Sequence, residues 1–297
     1  MDKIIKGMLL DNSVNVMAVS GLEMIKVAKS THELSRVCTA ALGRTLLMTA
    51  MMGAMLKNET DRVSVIIKGG GPAGSIICTG LSDGTVKGYI ENPAIELPLS
   101  PVGKLDVASA VGRAGKLTVV RDLSMKEPYV GTCNIISGEI AEDFASYYAL
   151  SEQQPTLVYL GVRINAGSGD VLSAGGILIQ PLPNCPSENI DILQDKAEKI
   201  QKMSAMLEAN SDLSAVLNDI LGDIGFVETE HIEPQYRCDC SRTRIESVLV
   251  SLGEDELSDM IENEHGAEIT CHFCNTVYSF GEDELKELLQ YAKQKEE

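Results

Sequence analysis

The sequence predicts an α+β protein: an antiparallel-sheet core domain with a long buried helix, then a helical linker, then a small cysteine-containing C-terminal domain. Glycine is concentrated early, with 21 of the 26 glycines in residues 1–185. Acidity is concentrated late, because residues 1–185 carry 17 acidic and 16 basic side chains, whereas residues 186–297 carry 26 and 9. The hydrophobic pattern also changes near residues 181–189, from short β-branched runs to helical spacing.

Length and composition indicate a globular chain with a buried core. The chain is 44% hydrophobic and 23% charged, which is typical of a globular protein. Its length of 297 residues predicts two domains, or one large domain with an appendage. The formal net charge of −18 opposes binding to phosphate backbones and to anionic membranes. We therefore expect neither nucleic acid nor a membrane among its partners.

Two apolar stretches are candidates for a signal peptide or a membrane span. The first is a four-residue stretch just before Asp11, which is too short for the apolar region of a signal peptide. The longest, residues 45–56, falls short of the roughly 20 residues that span a bilayer. We expect a cytoplasmic protein, in which eight cysteines are thiols or metal ligands rather than structural disulfides.

The core domain begins with a predicted strand at residues 13–20 and a long apolar helix at 33–57, whose methionines we interpret as core residues. A second helix is predicted near 139–150, which favours α+β over regular βαβ alternation. Short β-branched runs separated by turns predict antiparallel strands. These runs are 63–69, 75–80, 85–91, 116–122, 132–139, 157–165 and 177–183.

Two motifs in this domain match functional sites, one for dinucleotide binding and one for acid–base catalysis, but a structural role explains each of them better. Gly69, Gly71 and Gly74 match a dinucleotide-binding spacing, but a β-branched run follows where that site needs a helix, so a hairpin turn is predicted. Glu139, Glu142 and Asp143 could act as paired acid–base carboxylates. At the start of a predicted helix they more often cap it.

The linker is predicted to form two amphipathic helices, stopped by Gly222. The apolar positions of the first are Leu193, Ala197, Ile200, Met203 and Leu207, and those of the second are Leu213, Val216, Leu217, Ile220 and Leu221. Three prolines in residues 181–189 mark the start of the linker. The predicted domains are therefore a core at 1–180, the linker at 181–233 and a C-terminal domain at 234–297.

The strongest signal is two close cysteine pairs separated by thirty residues: Cys238 with Cys240, and Cys271 with Cys274. Two such pairs supply the four ligands of a closed tetrahedral Zn²⁺ site, which leaves no position for catalytic water. A site of three cysteines with His231, His265 or His272 stays open as an alternative. The isolated thiols, Cys38, Cys78, Cys133 and Cys185, receive no role.

The Cys-X-Cys pair also suggests redox chemistry. A disulfide between Cys238 and Cys240 closes a very small, strained ring that is readily reduced. Zinc-bound thiolates stay reactive toward oxidants, and oxidised sulfurs no longer bind metal. Because metal binding stabilises so small a domain, its loss should unfold the domain. The cysteine pattern thus suggests a redox-triggered unfolding switch.

The motifs together resemble the 33 kDa chaperonin family, the redox-regulated heat-shock holdases called HslO. In chain order they are ALGR at 41–44, GGGPAG at 69–74, GYIENP at 88–93, KEPYVG, SGEIAED at 137–143, SEQQPT, LGVRI, AGGILIQPLP, CDCSRTR and CHFCN. The resemblance runs through almost the whole chain. One departure is His272, where the family more often has an acidic residue.

The resemblance implies a non-enzymatic, ATP-independent chaperone that is poorly active when reduced. It implies one Zn²⁺ on the four paired cysteines and, after oxidation, the disulfides Cys238–Cys240 and Cys271–Cys274. Zinc release and unfolding of the C-terminal domain and linker would then expose apolar surface that captures unfolding proteins under oxidative and heat stress. It also implies an oxidised homodimer and transfer of clients to ATP-dependent foldases.

Two other function classes compete with this interpretation. A thiol oxidoreductase would use Cys271 and Cys274, but it needs that pair to open a helix, and the flanking residues are typical of strands. A zinc ribbon that binds nucleic acid is disfavoured by the charge.

Overall fold

The computed structural model describes residues 1–296 and divides into two compact units, Met1–Arg237 and Cys238–Glu297. Residues 181–233 fold within the first unit, and so do residues 234–237. The functional division into a core, a linker and a switch domain stays a prediction. The predicted class, α+β with antiparallel sheets, is confirmed.

The first unit contains eleven strands and eight α-helices among its described residues. The strands are β1 Lys3–Leu9, β2 Val14–Ser20, β3 Arg62–Lys68, β4 Ser75–Leu81, β5 Thr85–Ile90, β6 Lys116–Asp122, β7 Tyr129–Asn134, β8 Leu157–Ile164, β9 Val171–Pro181, β10 Val227–Ile232 and β11 Gln235–Tyr236. The helices are α1 Leu22–His32, α2 Arg36–Ala54, α3 Val107–Val111, α4 Ala141–Leu150, α5 Ser187–Asp195, α6 Ala197–Ile200, α7 Met203–Ala209 and α8 Leu213–Leu221.

A five-stranded antiparallel sheet, in the order β10-β1-β2-β9-β8, separates two apolar layers. Successive side chains of a strand point to opposite faces. In β1, Ile4 therefore packs in the main core, while Ile5 packs in a second cluster on the other face. Because both faces are covered, nearly all residues of β2 and β9 are buried. The strand predicted at 13–20 is confirmed, while β1 and β10 were not predicted.

The second sheet has the order β11-β5-β4-β3-β6-β7 and is antiparallel except for the pairing of β11 with β5. The glycine-rich segment joins β3 to β4 in register, with Lys68 opposite Ser75. The predicted hairpin turn is therefore confirmed. At the end of the unit, the Tyr236 hydroxyl donates to the carbonyl of Gly88 at 2.7 Å and lies 2.8 Å from Nε2 of His32.

Helix α2 forms the centre of the main core, as the apolar stretch predicted. It begins after Ser35, whose side chain accepts from the backbone N–H of Cys38. Nearly all of its residues are buried, including Met48, Met51 and Met52. By length and composition α2 could cross a membrane, yet all of its residues except Arg36 and Arg44 are buried inside the protein, as is typical of a core helix. The preceding helix, α1, was not predicted.

The linker helices lie on the outer face of the five-stranded sheet and bury the predicted apolar stripe there, except for Ala197, which is half-buried and lies outside the cluster. The stripe contributes Leu193, Ile200, Met203, Leu207, Leu213, Val216, Leu217, Ile220 and Leu221. The sheet contributes Ile5, Leu9, Val14, Val16, Ala18, Ile177 and Ile179. These sixteen buried residues are called the linker–sheet cluster below.

The first linker helix was predicted to be continuous, and this prediction is wrong. The structure divides it into α5, α6 and α7, because the chain tightens around Lys196 and Lys202. There, backbone bonds of three-residue spacing replace the α-helical ones, from Lys199 N–H to the Lys196 carbonyl and from Lys202 N–H to the Lys199 carbonyl. The second predicted helix is α8, which ends at Leu221 with Gly222 as its C-cap. Here the prediction is confirmed.

Close backbone contact and buried polar bonds hold α7 against the sheet. A Cβ on Gly175 would lie 2.2 Å from Cδ1 of Leu207, so the Leu207 side chain packs directly over this glycine. The Ser173 hydroxyl donates to the carbonyl of Ser204 at 2.6 Å. The Tyr159 hydroxyl lies 2.8 Å from Oγ of Ser204. The linker is therefore specifically docked in this state.

Asp143 organises the turn that precedes α4. Its Oδ1 accepts from the backbone N–H groups of Ile136 and Ser137 at 2.8 and 2.9 Å, and Oδ2 accepts from Ile140 N–H at 3.0 Å. Ile140 is fully buried with a φ of 74°, a strained conformation for a β-branched residue. The carboxylates of this segment were predicted to cap a helix, which is confirmed for Asp143.

An Asp143→Asn variant is expected to lose about 3 kcal/mol of stability. Asparagine has only one side-chain oxygen, so its NH₂ group would face a backbone N–H group that needs an acceptor. The remaining oxygen would also no longer be part of a charged carboxylate. Urea unfolding measures the loss, and Glu142→Gln, at an exposed neighbouring position, is the control. Equal unfolding midpoints for the two variants would show that Asp143 does not hold this turn.

In its described residues, 238–296, the second unit is a strand hairpin packed with three helices. Its elements are α9 Arg242–Ser251, α10 Glu254–Glu262, β12 Gly266–Thr270, β13 Val277–Gly281 and α11 Glu282–Glu296. The strands flanking the second cysteine pair are thus confirmed. The buried core is small, consisting of Leu249, Leu257, Ile261, Phe280, Leu285 and Ala292. Such a core needs further cross-linking to be stable.

Candidate metal and redox site

Two different local structures present the cysteine pairs. Cys238 and Cys240 lie in the irregular segment before α9. The side chain of Ser241 caps α9. Cys271 and Cys274 lie in the turn between β12 and β13. In that turn the backbone N–H groups of Cys274 and Asn275 donate to the carbonyl of Cys271, at 3.3 and 2.8 Å. The turn is therefore tight, and its two sulfurs lie within 4.8 Å of each other.

The four sulfurs meet at one place. The Sγ atoms of Cys238, Cys240, Cys271 and Cys274 all lie within 4.8 Å of one another. Cys238 Sγ is 3.7 Å from Cys271 Sγ, and Cys240 Sγ is 3.3 Å from Cys274 Sγ. Sulfurs about 2.3 Å from a tetrahedral zinc ion are about 3.8 Å apart, so the spacing suits such an ion. These four sulfurs are called the sulfur cluster below.

Hydrogen-bond donors surround the sulfur cluster. The Tyr278 hydroxyl donates to Cys240 Sγ at 3.1 Å. Cys274 Sγ lies 3.2 Å from Oγ1 of Thr276, whose hydroxyl donates when the sulfur is a thiolate. Backbone N–H groups also donate, from Cys240 to Cys238 and from Phe273 to Cys271. Donors of this kind stabilise negative charge on sulfur.

The pKa values of the thiols differ within the cluster. Burial raises the pKa of Cys238 and, to a smaller extent, that of Cys271. Burial also opposes ionisation of Cys274, but the Thr276 side chain and backbone, followed by Cys240 and Cys271, outweigh it and lower the pKa of Cys274 to about 7. Cys274 is therefore the sulfur that ionises most readily of these three.

The alternative with a histidine ligand receives no support. The group of mutually close ligand atoms consists of the four cysteines, with no histidine among the described residues. His265 lies instead 3.7 Å from Oε2 of Glu282, and His272 is exposed. The cysteines without a predicted role lie elsewhere. Cys38, Cys78 and Cys133 are buried in the main core, and burial raises the pKa of all three thiols.

Comparison with known proteins places the chain in a family. The model of the family described as "Hsp33 protein" matches residues 2–281. The chain belongs to the Hsp33 family. Relatives named "33 kDa chaperonin" include that of Alkaliphilus oremlandii, 44% identical over 96% of this chain and 95% of its own length. The one from Clostridioides difficile is 40% identical over 97% and 99%.

A solved Hsp33 structure has the same fold. The crystal structure of the 33 kDa chaperonin from Thermotoga maritima superposes with a TM-score of 0.88 at 35% identity, and the match covers 98% of this chain and 99% of that one. The resemblance predicted from the motifs is confirmed. Membership in the Hsp33 family supports a chaperone function, and the four clustered cysteines could hold a metal ion.

Sequence reasoning missed the hydroxyl donors of this Hsp33 site. Tyr278 lies in β13, and Thr276 directly precedes that strand. Hydroxyl side chains shortly after a cysteine pair were the available signal. This signal was insufficient, because the sequence does not show that Cys240 lies next to Tyr278.

Proposed function

We propose that this chain is a redox-regulated, ATP-independent holdase, activated when oxidation of its cysteines releases zinc and unfolds the C-terminal region. The observation that carries the proposal is the sulfur cluster, in a unit whose described residues include only six buried core residues. A Zn²⁺ ion held by Cys238, Cys240, Cys271 and Cys274 would join the two pairs and supply folding free energy. A unit of this size depends strongly on such a cross-link.

Oxidation by a hydroperoxide proceeds in two balanced steps. A thiolate attacks the peroxide, an S–O bond forms, the O–O bond breaks, and hydroxide or alkoxide leaves and takes up a proton. The sulfur loses two electrons, and the peroxide is reduced. A second thiolate then attacks the sulfenic sulfur, forming the S–S bond and expelling hydroxide. The proposed products are the disulfides Cys238–Cys240 and Cys271–Cys274, whose sulfurs no longer serve as thiolate ligands.

The linker–sheet cluster is the proposed client-binding surface. Its sixteen apolar residues are buried while α5 to α8 are docked, and undocking would expose both the helix stripe and the sheet face. An exposed apolar surface of this extent binds other apolar surfaces, such as those of unfolding proteins. The acidic residues of the last third would help to keep a loaded complex dispersed.

The proposal extends to partners and location. Unfolded polypeptides are the clients, ATP-dependent foldases receive them, and the oxidised chain forms a homodimer in the cytoplasm. Membership in the Hsp33 family supports client binding, and the net charge of −18 argues against nucleic-acid and membrane partners. The function is binding rather than catalysis.

Light scattering of a thermally unfolding client protein tests the proposal. The chain is added either reduced and zinc-loaded or oxidised with hydrogen peroxide at mild heat, while a chelating dye reports released zinc. We expect suppression of scattering only by the oxidised, zinc-free form. Equal suppression by both forms would mean that the cysteines have only a structural role. Suppression by neither form would rule out the holdase function.

The oxidoreductase alternative is not favoured. Cys271 and Cys274 lie in a hairpin turn between β12 and β13, whereas that chemistry expects the pair at the start of a helix. Insulin reduction measures it directly, and turnover with a catalytic amount of this chain would favour the enzyme.

A further inference from the structure

The ring of Tyr278 is fixed beside the sulfur cluster by the strand that carries it. Tyr278 lies in β13, paired with Ile269 of β12, and its side chain packs against the small core of the second unit. Its hydroxyl donates to Cys240 Sγ at 3.1 Å. Since this cysteine comes from the other pair, the bond joins the hairpin to the segment before α9.

We propose that Tyr278 is a positioning residue that slows the reaction of Cys240 with hydroperoxides by donating a hydrogen bond to its sulfur. The inference rests on the proposed function and deepens it, because it names a residue that sets how much oxidant the switch requires. When Cys274 is a thiolate, the Thr276 hydroxyl, whose Oγ1 lies 3.2 Å from Cys274 Sγ, donates to it in the same way.

The direction of the effect follows from the charge on sulfur. In the attack step negative charge leaves the sulfur as the S–O bond forms, so a donor that stabilises this charge stabilises the reactant more than the transition state. Nucleophilicity of a thiolate falls as its charge is stabilised, with about half of the stabilisation appearing in the rate. A hydrogen bond to a charged group contributes enough free energy to change the rate of thiolate oxidation measurably.

Tyr278→Phe removes the hydroxyl and keeps the ring that packs in the core. We expect the metal-loaded variant to lose its Cys240 thiol about 3- to 10-fold faster in hydrogen peroxide than the unmodified chain does. Tyr291→Phe is the matched control, because Tyr291 lies in the same unit and is 59% exposed. Alkylation of the remaining thiols followed by peptide mass spectrometry gives the rate at each cysteine.

A spectroscopic readout separates this role from a merely structural one. With Co²⁺ as the probe metal, the sulfur-to-cobalt charge-transfer absorption should move to lower energy in Tyr278→Phe, because the sulfur is no longer stabilised by the hydroxyl. Tyr291→Phe should leave the absorption unchanged. If Tyr278→Phe does not retain metal, Thr276→Val carries the same test at Cys274.

The outcomes distinguish this inference from the proposed function. Equal oxidation rates and equal cobalt spectra with and without the hydroxyl would overturn the role of Tyr278, even if the unmodified chain becomes a holdase on oxidation. Faster thiol loss and a shifted spectrum would support it. That result would stand even if the oxidised chain failed to suppress aggregation, in which case only the holdase proposal would fall.

Discussion

Leu217→Asp is expected to make the chain suppress client aggregation without any oxidant. Leu217 is fully buried in α8, within the linker–sheet cluster. The substitution removes a buried aliphatic side chain and places an unpaired carboxylate against apolar strands, at a cost of about 4 kcal/mol or more. A cost of that size shifts the equilibrium between docked and undocked linker by about a thousandfold.

Asn218→Asp is the control for this experiment. It introduces the same charge at the neighbouring position, which is exposed on α8, so the linker should stay docked. Both variants are assayed reduced and metal-loaded, by light scattering of a heated client. If Leu217→Asp suppresses no more than Asn218→Asp, the linker–sheet cluster is not the surface that binds clients.

Cys240→Ser is expected to have the second large effect, on metal binding and on folding of the second unit. Loss of one of four thiolate ligands should weaken zinc binding more than about 100-fold, beyond what loss of a residue supporting a ligand costs. Because metal binding stabilises the small unit, residues 238–297 should lose ordered structure and activity should no longer depend on oxidants. Competition with a chelating dye measures the affinity, and circular dichroism measures the folding.

The control for that variant is Cys185→Ser. Cys185 is half-buried at the start of the linker and lies outside the sulfur cluster. Its loss should leave zinc stoichiometry and affinity unchanged. Unchanged stoichiometry and affinity in Cys240→Ser itself would mean that the four cysteines do not form the metal site.

The predictable parts of the fold are those encoded in local patterns. The long apolar helix was visible because α2 is buried on nearly every face, and the strands β3 to β5 because turns separate β-branched runs. The four cysteines could be predicted to meet because their pair spacing is specific for metal binding. These features need no knowledge of long-range pairing.

The parts that could not be predicted depend on contacts distant in sequence. Strand β10 is almost wholly exposed and acidic, and it becomes a strand because it pairs with β1, more than 200 residues away. The breaks between α5, α6 and α7 fall inside a continuous amphipathic pattern, so the pattern did not reveal them. The hydroxyl of Tyr278 reaches Cys240 only through folding of the second unit. Tertiary contacts, rather than propensity, determine such features.

Hydrogen exchange with mass spectrometry tests the central claim most directly, because it follows the linker in the full chain before and after peroxide oxidation. In the reduced, zinc-loaded chain, amides of α7, α8 and β3 should all be protected. After oxidation we expect α7 and α8 to exchange freely while β3, in the main core, stays protected. Full protection of α7 and α8 in an oxidised chain that suppresses aggregation would contradict the account, because clients would then bind elsewhere.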